Sequence, residues 1–427
     1  MRDKLLIKNV SVFLPRENKY DVRDILVEQT DGINTVKAVD VNIEAEDASA
    51  FNAYGCTAMP SFVDLWSRMG EPDGDKRESF STGTNAALNG GFGTVLAAPY
   101  GKPATDDPSV LLKRKEKAKS DARCEVKFCG ALTFGMLGKK LCDHAAMMDA
   151  GAVAFSDGMN ERLPDDLLRE AMLGIAKLRS LLIVTPRISP FYSDCCVNLG
   201  KVSGFLGLKG VPKSAEAIDL SRYLILAAET GCRLHVAGVS TEQGVEAVYQ
   251  AKRRGADVTA SAFPANYSFS QDDLFFYGSM AKVWPPLRET GDLKAVRDAL
   301  LDGTLDCVSS CHTPLTDAQK GSDIAASEFG VTGLQTAFSS AASYLFPGDT
   351  VDKTRLCQLF SEAPSEILGI KKTRIEPGNE ADFSIVSFDR DFIVSENFLK
   401  SRSGNSIFKG LTLRGSVERT VLPYSRL

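Results

Sequence analysis

Histidine is scarce in this chain: His144, His235 and His312 are the only three in 427 residues. A hydrolytic metal centre usually needs at least three protein ligands, so such a chain has little to build one from. The ten cysteines include no Cys-x-x-Cys pair, which excludes a zinc ribbon and gives no sign of a disulfide framework. Scattered thiols of this kind are expected in the core of a protein kept reduced. No apolar run approaches the roughly 20 residues that cross a bilayer. The opening residues Met1-Arg-Asp-Lys-Leu-Leu6 lack the apolar core of a signal peptide, so a cytoplasmic location is expected. No Gly-x-Gly-x-x-Gly turn is present, which removes the main signature of an open dinucleotide-binding sheet. Positive charge is not in excess either, since 50 Lys and Arg face 55 Asp and Glu for a net −5. The basic run Lys113, Arg114, Lys115, Lys117 and Lys119 is broken by Glu116 and Asp121 and reads as a solvated helix face. Neither nucleic acid nor membrane is an expected partner.

What is present is an ordinary globular composition, with 44% hydrophobic and 25% charged residues. Both ends read as short strands: Lys4–Lys8, Ser11–Leu14 and Asp24–Glu28 at one, Ala381–Phe388 and Gly410–Gly415 at the other. The middle alternates apolar runs with helical periodicity. Gly151–Phe155 leads into Leu167, Leu168, Ala171, Met172, Ile175 and Leu178 at helical spacing, and Leu181–Val184 follows as a strand. Ile218–Thr230, Arg233–Ala237 and a capping-box opening at Ser240–Gln243 repeat the unit. A long βα series predicts an α/β fold, a (β/α)8 TIM barrel over 58–370, with a small β-sandwich made from 1–57 and 371–427. In such a barrel the functional groups lie just past the C-terminal ends of the strands.

The segment Met59-Pro-Ser-Phe-Val-Asp-Leu-Trp-Ser-Arg-Met-Gly-Glu-Pro72 resembles the dihydroorotase frame Pro-Gly-Phe-Ile-Asp-x-His-x-His-x-Arg-Glu-Pro. Further segments are similar to that family's in the family's order: Glu78–Ala87, Gly90–Val95, Gly151–Asp157, His235–Thr241, Pro285–Arg288 and Phe329–Leu334. The closing Pro364–Gly369, Ile375–Asp382 and Gly404–Gly410 join them. The likeness implies a metal-dependent amidohydrolase barrel. At the positions where the family places its chemistry, this chain differs. Trp66 and Arg68 replace the first histidine pair, Gly70 the carboxylate-binding arginine, and Tyr100 the substrate-binding asparagine. Arg187 and Gly238 stand for further histidine ligands, Trp284 for an asparagine, and Cys311 for the catalytic and metal-binding aspartate.

Metal-assisted opening of a cyclic amide needs a cation to acidify its bound water and a carboxylate to move the proton. Of the expected set Asp157 remains, and two permanent guanidiniums, Arg68 and Arg187, would repel a dication. The expectation is therefore no catalytic residue, no metal ligand and no zinc, with Asp157 paired to Arg68 or Arg187. Glu71, Arg288 and His312 are further retained pocket candidates. His144 and His235 read as packing histidines, and His312 is not expected to share a site with Cys311, because adjacent strand residues face opposite sides.

Three functions are weighed. The first is a dihydroorotase-like pseudoenzyme of pyrimidine biosynthesis, not an enzyme, resembling degenerate subunits that scaffold aspartate transcarbamoylase, and possibly a homo-oligomer. The second is an active dihydroorotase or other cyclic-amide hydrolase with an altered metal site. The third is a small-molecule sensor using the pocket bounded by Glu71, Arg288, Trp66, Tyr100 and Trp284.

Overall fold

The computed structural model describes residues 4–14, 19–69, 77–159, 163–187, 194–348, 350–371 and 374–425. The N-terminal strands are β1 (Lys4–Leu14), β2 (Lys19–Thr30), β3 (Ile33–Asp40), β4 (Ser49–Asn52) and β5 (Cys56–Pro60). With the C-terminal β16 (Phe383–Ile393) and β17 (Thr412–Val421) they form one seven-stranded sheet in the order β17-β16-β5-β1-β2-β3, β4 pairing with β1. The two predicted strands at Lys4–Lys8 and Ser11–Leu14 are one strand with a bulge after Ile7. There Asn9 takes a φ of 59° and donates its N–H to Asp24. Leu5, Ile7, Val10, Val12, Ile25, Val27, Phe383 and Ile385 bury a core belonging to this sheet.

The barrel strands are β6 (Phe62–Ser67), β7 (Phe92–Ala97), β8 (Glu125–Gly130), β9 (Ala152–Phe155), β10 (Leu181–Val184), β13 (Arg233–Ala237), β14 (Val258–Ala262) and β15 (Cys307–Val308). They pair in parallel as an eight-stranded sheet from β6 round to β15. A short excursion, β11 (Val197–Asn198) with β12 (Gly210–Val211), stands outside it. Every residue of β6, β7 and β10 is buried, as expected of parallel strands covered on both faces. Amphipathic helices pack outside. Asp165–Lys177 buries Leu168, Ala171, Met172 and Ile175 at the spacing read from the sequence. The helix Glu242–Arg253 is capped by Thr241, whose side chain accepts from the Gly244 N–H, while the Ser240 hydroxyl goes to Glu216. The expected capping box at Ser240–Gln243 is thus a Thr241 cap.

The ring closes without a ladder between β15 and β6. An isolated parallel bridge joins Ser67 to His312, and the Arg68 N–H donates to the His312 carbonyl at 2.8 Å. Asp64, fully buried on β6, accepts from the Ser310 N–H at 2.6 Å, the Ser310 hydroxyl at 2.9 Å and the Ser67 hydroxyl. The segment between β16 and β17 leaves the terminal sheet and returns to the barrel, where Ser401 donates to Glu78 and Asn405 accepts from the Leu315 N–H. Among the described residues, no helix is long and apolar enough to cross a membrane.

Candidate active site at the barrel mouth

The strand ends deliver aromatic and guanidinium groups to one place. Trp66, the penultimate residue of β6, is fully buried, with its ring edge-on to Tyr100 at 6.1 Å. Its indole N–H has no hydrogen-bond partner among the described residues. The half-buried Arg68 lays its guanidinium 4.0 Å above the Tyr100 ring, a cation–π stack. The Tyr100 hydroxyl accepts from the Met159 N–H at 2.8 Å, and the Arg187 guanidinium donates to the Met159 carbonyl. Arg187 also lies 5.3 Å over Trp284, which meets Phe329 edge-on at 5.4 Å. One backbone unit, Met159, is therefore gripped from both sides of the mouth.

Two local backbone features set the floor. Gly238, just past β13, has a φ of +85°, and a Cβ built there would lie 2.4 Å from the Phe263 ring. Cys311 holds a left-handed φ of 50° with its sulfur 3.9 Å from the Trp284 carbonyl. What space remains is a crevice of about 20 Å³ bounded by Phe263, Trp284, Cys311 and Phe329, and one of about 10 Å³ beside Arg68, Glu78 and Tyr100. Neither has room for more than about one water.

The titratable groups are committed to structure. Asp157 accepts from the Leu132 N–H at 2.8 Å, the Thr133 N–H at 2.9 Å and the Thr133 hydroxyl. Burial raises its carboxyl above the ordinary range, although these hydrogen bonds pull the other way. His312 is buried. Its Nε2 sits 3.2 Å from Glu78 and its Nδ1 accepts from the Gly333 N–H at 3.4 Å. Burial pushes the Glu78 carboxyl up, but His312 and the hydroxyls of Ser401 and Thr82 outweigh it and hold it below the usual carboxylate value. Arg288 pairs with Glu216 at 3.6 Å and donates to Asn198, Val211 and Ser240, with both side chains almost wholly buried. His235 bridges Thr259 at 2.9 Å and Ser261 at 3.1 Å, and burial lowers it to about 3, so it stays neutral. His144 contacts the Leu132 carbonyl at 2.9 Å. Burial raises the Cys311 thiol to about 12, which leaves it protonated near neutrality.

With this geometry in view, known proteins supply the family. A family model described as Dihydro-orotase-like matches residues 55–244. A protein of Elusimicrobium minutum named dihydroorotase is 34% identical over 98% of this chain and 96% of its own length. One from Thermoanaerobacter with the same name is 33% identical over the same shares. The chain belongs to the dihydroorotase family. Among solved structures, the L-hydantoinase (dihydropyrimidinase) of Arthrobacter aurescens superposes with a TM-score of 0.84 at 24% identity, covering 100% of this chain and 97% of that one. This last likeness confirms the barrel with its terminal sheet.

Membership corrects one expectation outright. A chain matching, over nearly its whole length, relatives named for a catalysed reaction stands in an enzyme family, and the reading of it as no enzyme is overturned.

The dihydroorotase-family positions can now be placed. Trp66, Arg68, Tyr100, Arg187, Gly238, Trp284 and Cys311 lie at the mouth. Gly70 and Glu71 lie outside the described residues. These side chains do not fit a zinc ion: the Phe263 ring fills the space above Gly238, Trp66 and Tyr100 fill the first-strand corner, and no three His, Cys, Asp or Glu converge among the described residues. Asp157 forms no ion pair with Arg68 or Arg187. Two backbone N–H groups and the hydroxyl of the 132–133 segment hold it instead, and its expected pairing is corrected. Arg288 is not open to a ligand, because Glu216 occupies it. His312 turns to Glu78 while the Cys311 sulfur lies by the Trp284 carbonyl, but Cys311 is past the end of β15 with a left-handed φ, so the expected strand alternation is not the reason. Sequence reasoning missed Phe263. Its signal was an aromatic residue just past the Asp257–Ser261 strand, beside a neighbouring strand followed by a glycine. The partners Glu78 and Glu216 gave no comparable signal, lying 234 and 72 residues from the groups they pair with.

Proposed function

We propose that this chain is a cyclic-amide hydrolase of the dihydroorotase type whose centre is rebuilt around arginine in place of zinc. The observation that carries the reading is the pair of guanidiniums at the mouth, Arg68 on Tyr100 and Arg187 on Trp284. Likeness over the full length to relatives named dihydroorotase supports the substrate class, a cyclic amide bearing a carboxylate. A guanidinium pairs a carboxylate bidentately and stabilises charge developing on an amide oxygen. It cannot generate hydroxide or accept a proton near neutrality, and the Cys311 thiol, held protonated, offers no thiolate. Stabilising the oxyanion alone accelerates a reaction by about 10²–10³, so turnover is expected to be slow. A ring-sized ligand enters only as the Arg68–Tyr100 stack opens. The resemblance to pyrimidine-pathway subunits supports aspartate transcarbamoylase as partner and a cytoplasmic location as part of the same proposal.

The test is to purify the protein without chelators, assay metal, and measure ring opening of dihydroorotate and cyclisation of carbamoyl-aspartate. Well under one zinc per chain, with slow turnover that chelators leave unchanged and that Arg68→Met and Arg187→Met abolish, is the expected result. Stoichiometric zinc, or no turnover in either direction, overturns it. Aspartate transcarbamoylase should copurify in a fixed ratio from the native source, and recovery of this chain alone refutes that partnership.

A further inference from the structure

A second cavity lies at the other end of the barrel. Pro60 stands just before the start of β6, and Ala58, Pro60, Phe13, Tyr20 and Ile375 wall a cleft of about 220 Å³ between the terminal sheet and the helical segment 353–362. It is an order of magnitude larger than either crevice at the mouth and sits at a junction of two packed units, where ligand sites concentrate. Phe13 and Tyr20 pair at 5.3 Å and 58°, giving it an aromatic wall, and Phe13 remains 39% exposed. The Tyr20 hydroxyl has no hydrogen bond among the described residues. A π-helical turn, Gln358–Glu362, interrupts the helix at this point, a distortion frequent at functional sites. Cys357 at its start approaches the Glu362 carboxylate to 3.9 Å.

Charge selects the ligand. Among the described residues, Glu362 and Glu376 line the cleft against one guanidinium, Arg374. Just behind the wall, Lys353 lies 5.4 Å from the Tyr20 ring and donates to the Thr57 hydroxyl at 3.0 Å. Burial pushes the Tyr20 hydroxyl up to about 12, and among the described lining residues the two carboxylates outnumber Arg374 by one.

We propose that this cleft binds a small organic cation with a flat apolar body, an aromatic amine, its ring against Phe13 and Tyr20 and its ammonium at Glu362. The site is independent of the chemistry assigned to the mouth. Benzylamine and benzoate, equal in size and opposite in charge, are the probes, titrated against the full chain by saturation-transfer NMR. Benzylamine should bind at least about tenfold more tightly than benzoate, and Glu362→Gln should weaken it by about fivefold. Tyr20→Phe keeps the aromatic wall and should retain most of the binding. Equal binding of the two probes, no transfer from benzylamine, or an unchanged response in Glu362→Gln overturns the proposal. Glu362 is exposed and lines neither crevice at the mouth, so that variant leaves dihydroorotate turnover as a separate readout.

Discussion

Gly238 shows how one residue decides what the mouth can hold. Its φ of +85° disfavours any side chain, and Phe263 occupies the volume a Cβ would need. Gly238→Ala is expected to cost about 1–3 kcal/mol in urea denaturation. Phe263→Ala should return the steric share of that cost, so a double-mutant cycle should give a coupling of about 1 kcal/mol. Additive effects would show that backbone strain alone is responsible. That Trp66 replaces a family ligand and Tyr100 and Trp284 replace family asparagines was readable from sequence, because identity at a strand end implies position, but that they fill the mouth was not, since a pocket was expected there. The partner of a buried charge is not readable that way. Arg288 and Asp157 were taken for pocket residues because the groups that satisfy them come from elsewhere in the chain. Glu78 gives a pH prediction. Its folded pKa lies below its ordinary value, so its contribution is fully present above the unfolded pKa and lost as pH falls through the folded one. Glu78→Gln should lower stability by about 1–3 kcal/mol at pH 7 and by progressively less as pH falls below the ordinary carboxylate value of about 4.5. A constant difference across that range refutes the linkage.

At the scale of elements, the Arg288–Glu216 pair fastens pieces that no sheet ladder joins. Glu216, on the helix Lys213–Thr230, accepts from the N–H groups of Ser240 at 2.9 Å and Thr241 at 3.0 Å, and so holds the loop after β13 and the start of the next helix. Arg288 brings in the β11/β12 excursion through Asn198 at 2.8 Å and Val211 at 3.1 Å. Removing one member of a buried pair typically costs about 3–5 kcal/mol, because the other charge is left unpaired in a dry site. Arg288→Met is therefore expected to destabilise by that amount, and Arg288→Met with Glu216→Gln by clearly less than the sum. A loss below about 1 kcal/mol would mean that water reaches Glu216. The alternation of strands and helices here was legible because hydrophobic periodicity is local. The clamp was not, because it depends on which loops the closed ring brings together.

For the whole molecule, the question is how a barrel closes where its ladder is missing. Seven of the eight strand junctions are paired by backbone registers, and the eighth, between β15 and β6, relies on one isolated bridge and side-chain bonds. Asp64 and the Glu78–His312 pair tie the same seam from two sides, one through Ser310 and one through the helix Phe80–Asn89 and the returning Ser401. Burial raises the Asp64 carboxyl, so the charge itself costs something. Its loss would nonetheless leave the Ser310 N–H and hydroxyl without their acceptor in a dry interior, a penalty of about 2–4 kcal/mol. If the seam is the weakest junction, Asp64→Ala and His312→Ala should each speed amide exchange in β6 and in residues 309–312 well before β9 and β10, on the far side, respond. Their combined effect should fall short of the sum by about 1 kcal/mol, since the first loosens what the second would break. Uniform acceleration round the ring would instead mean that the barrel opens as one unit, with the seam no weaker than any ladder.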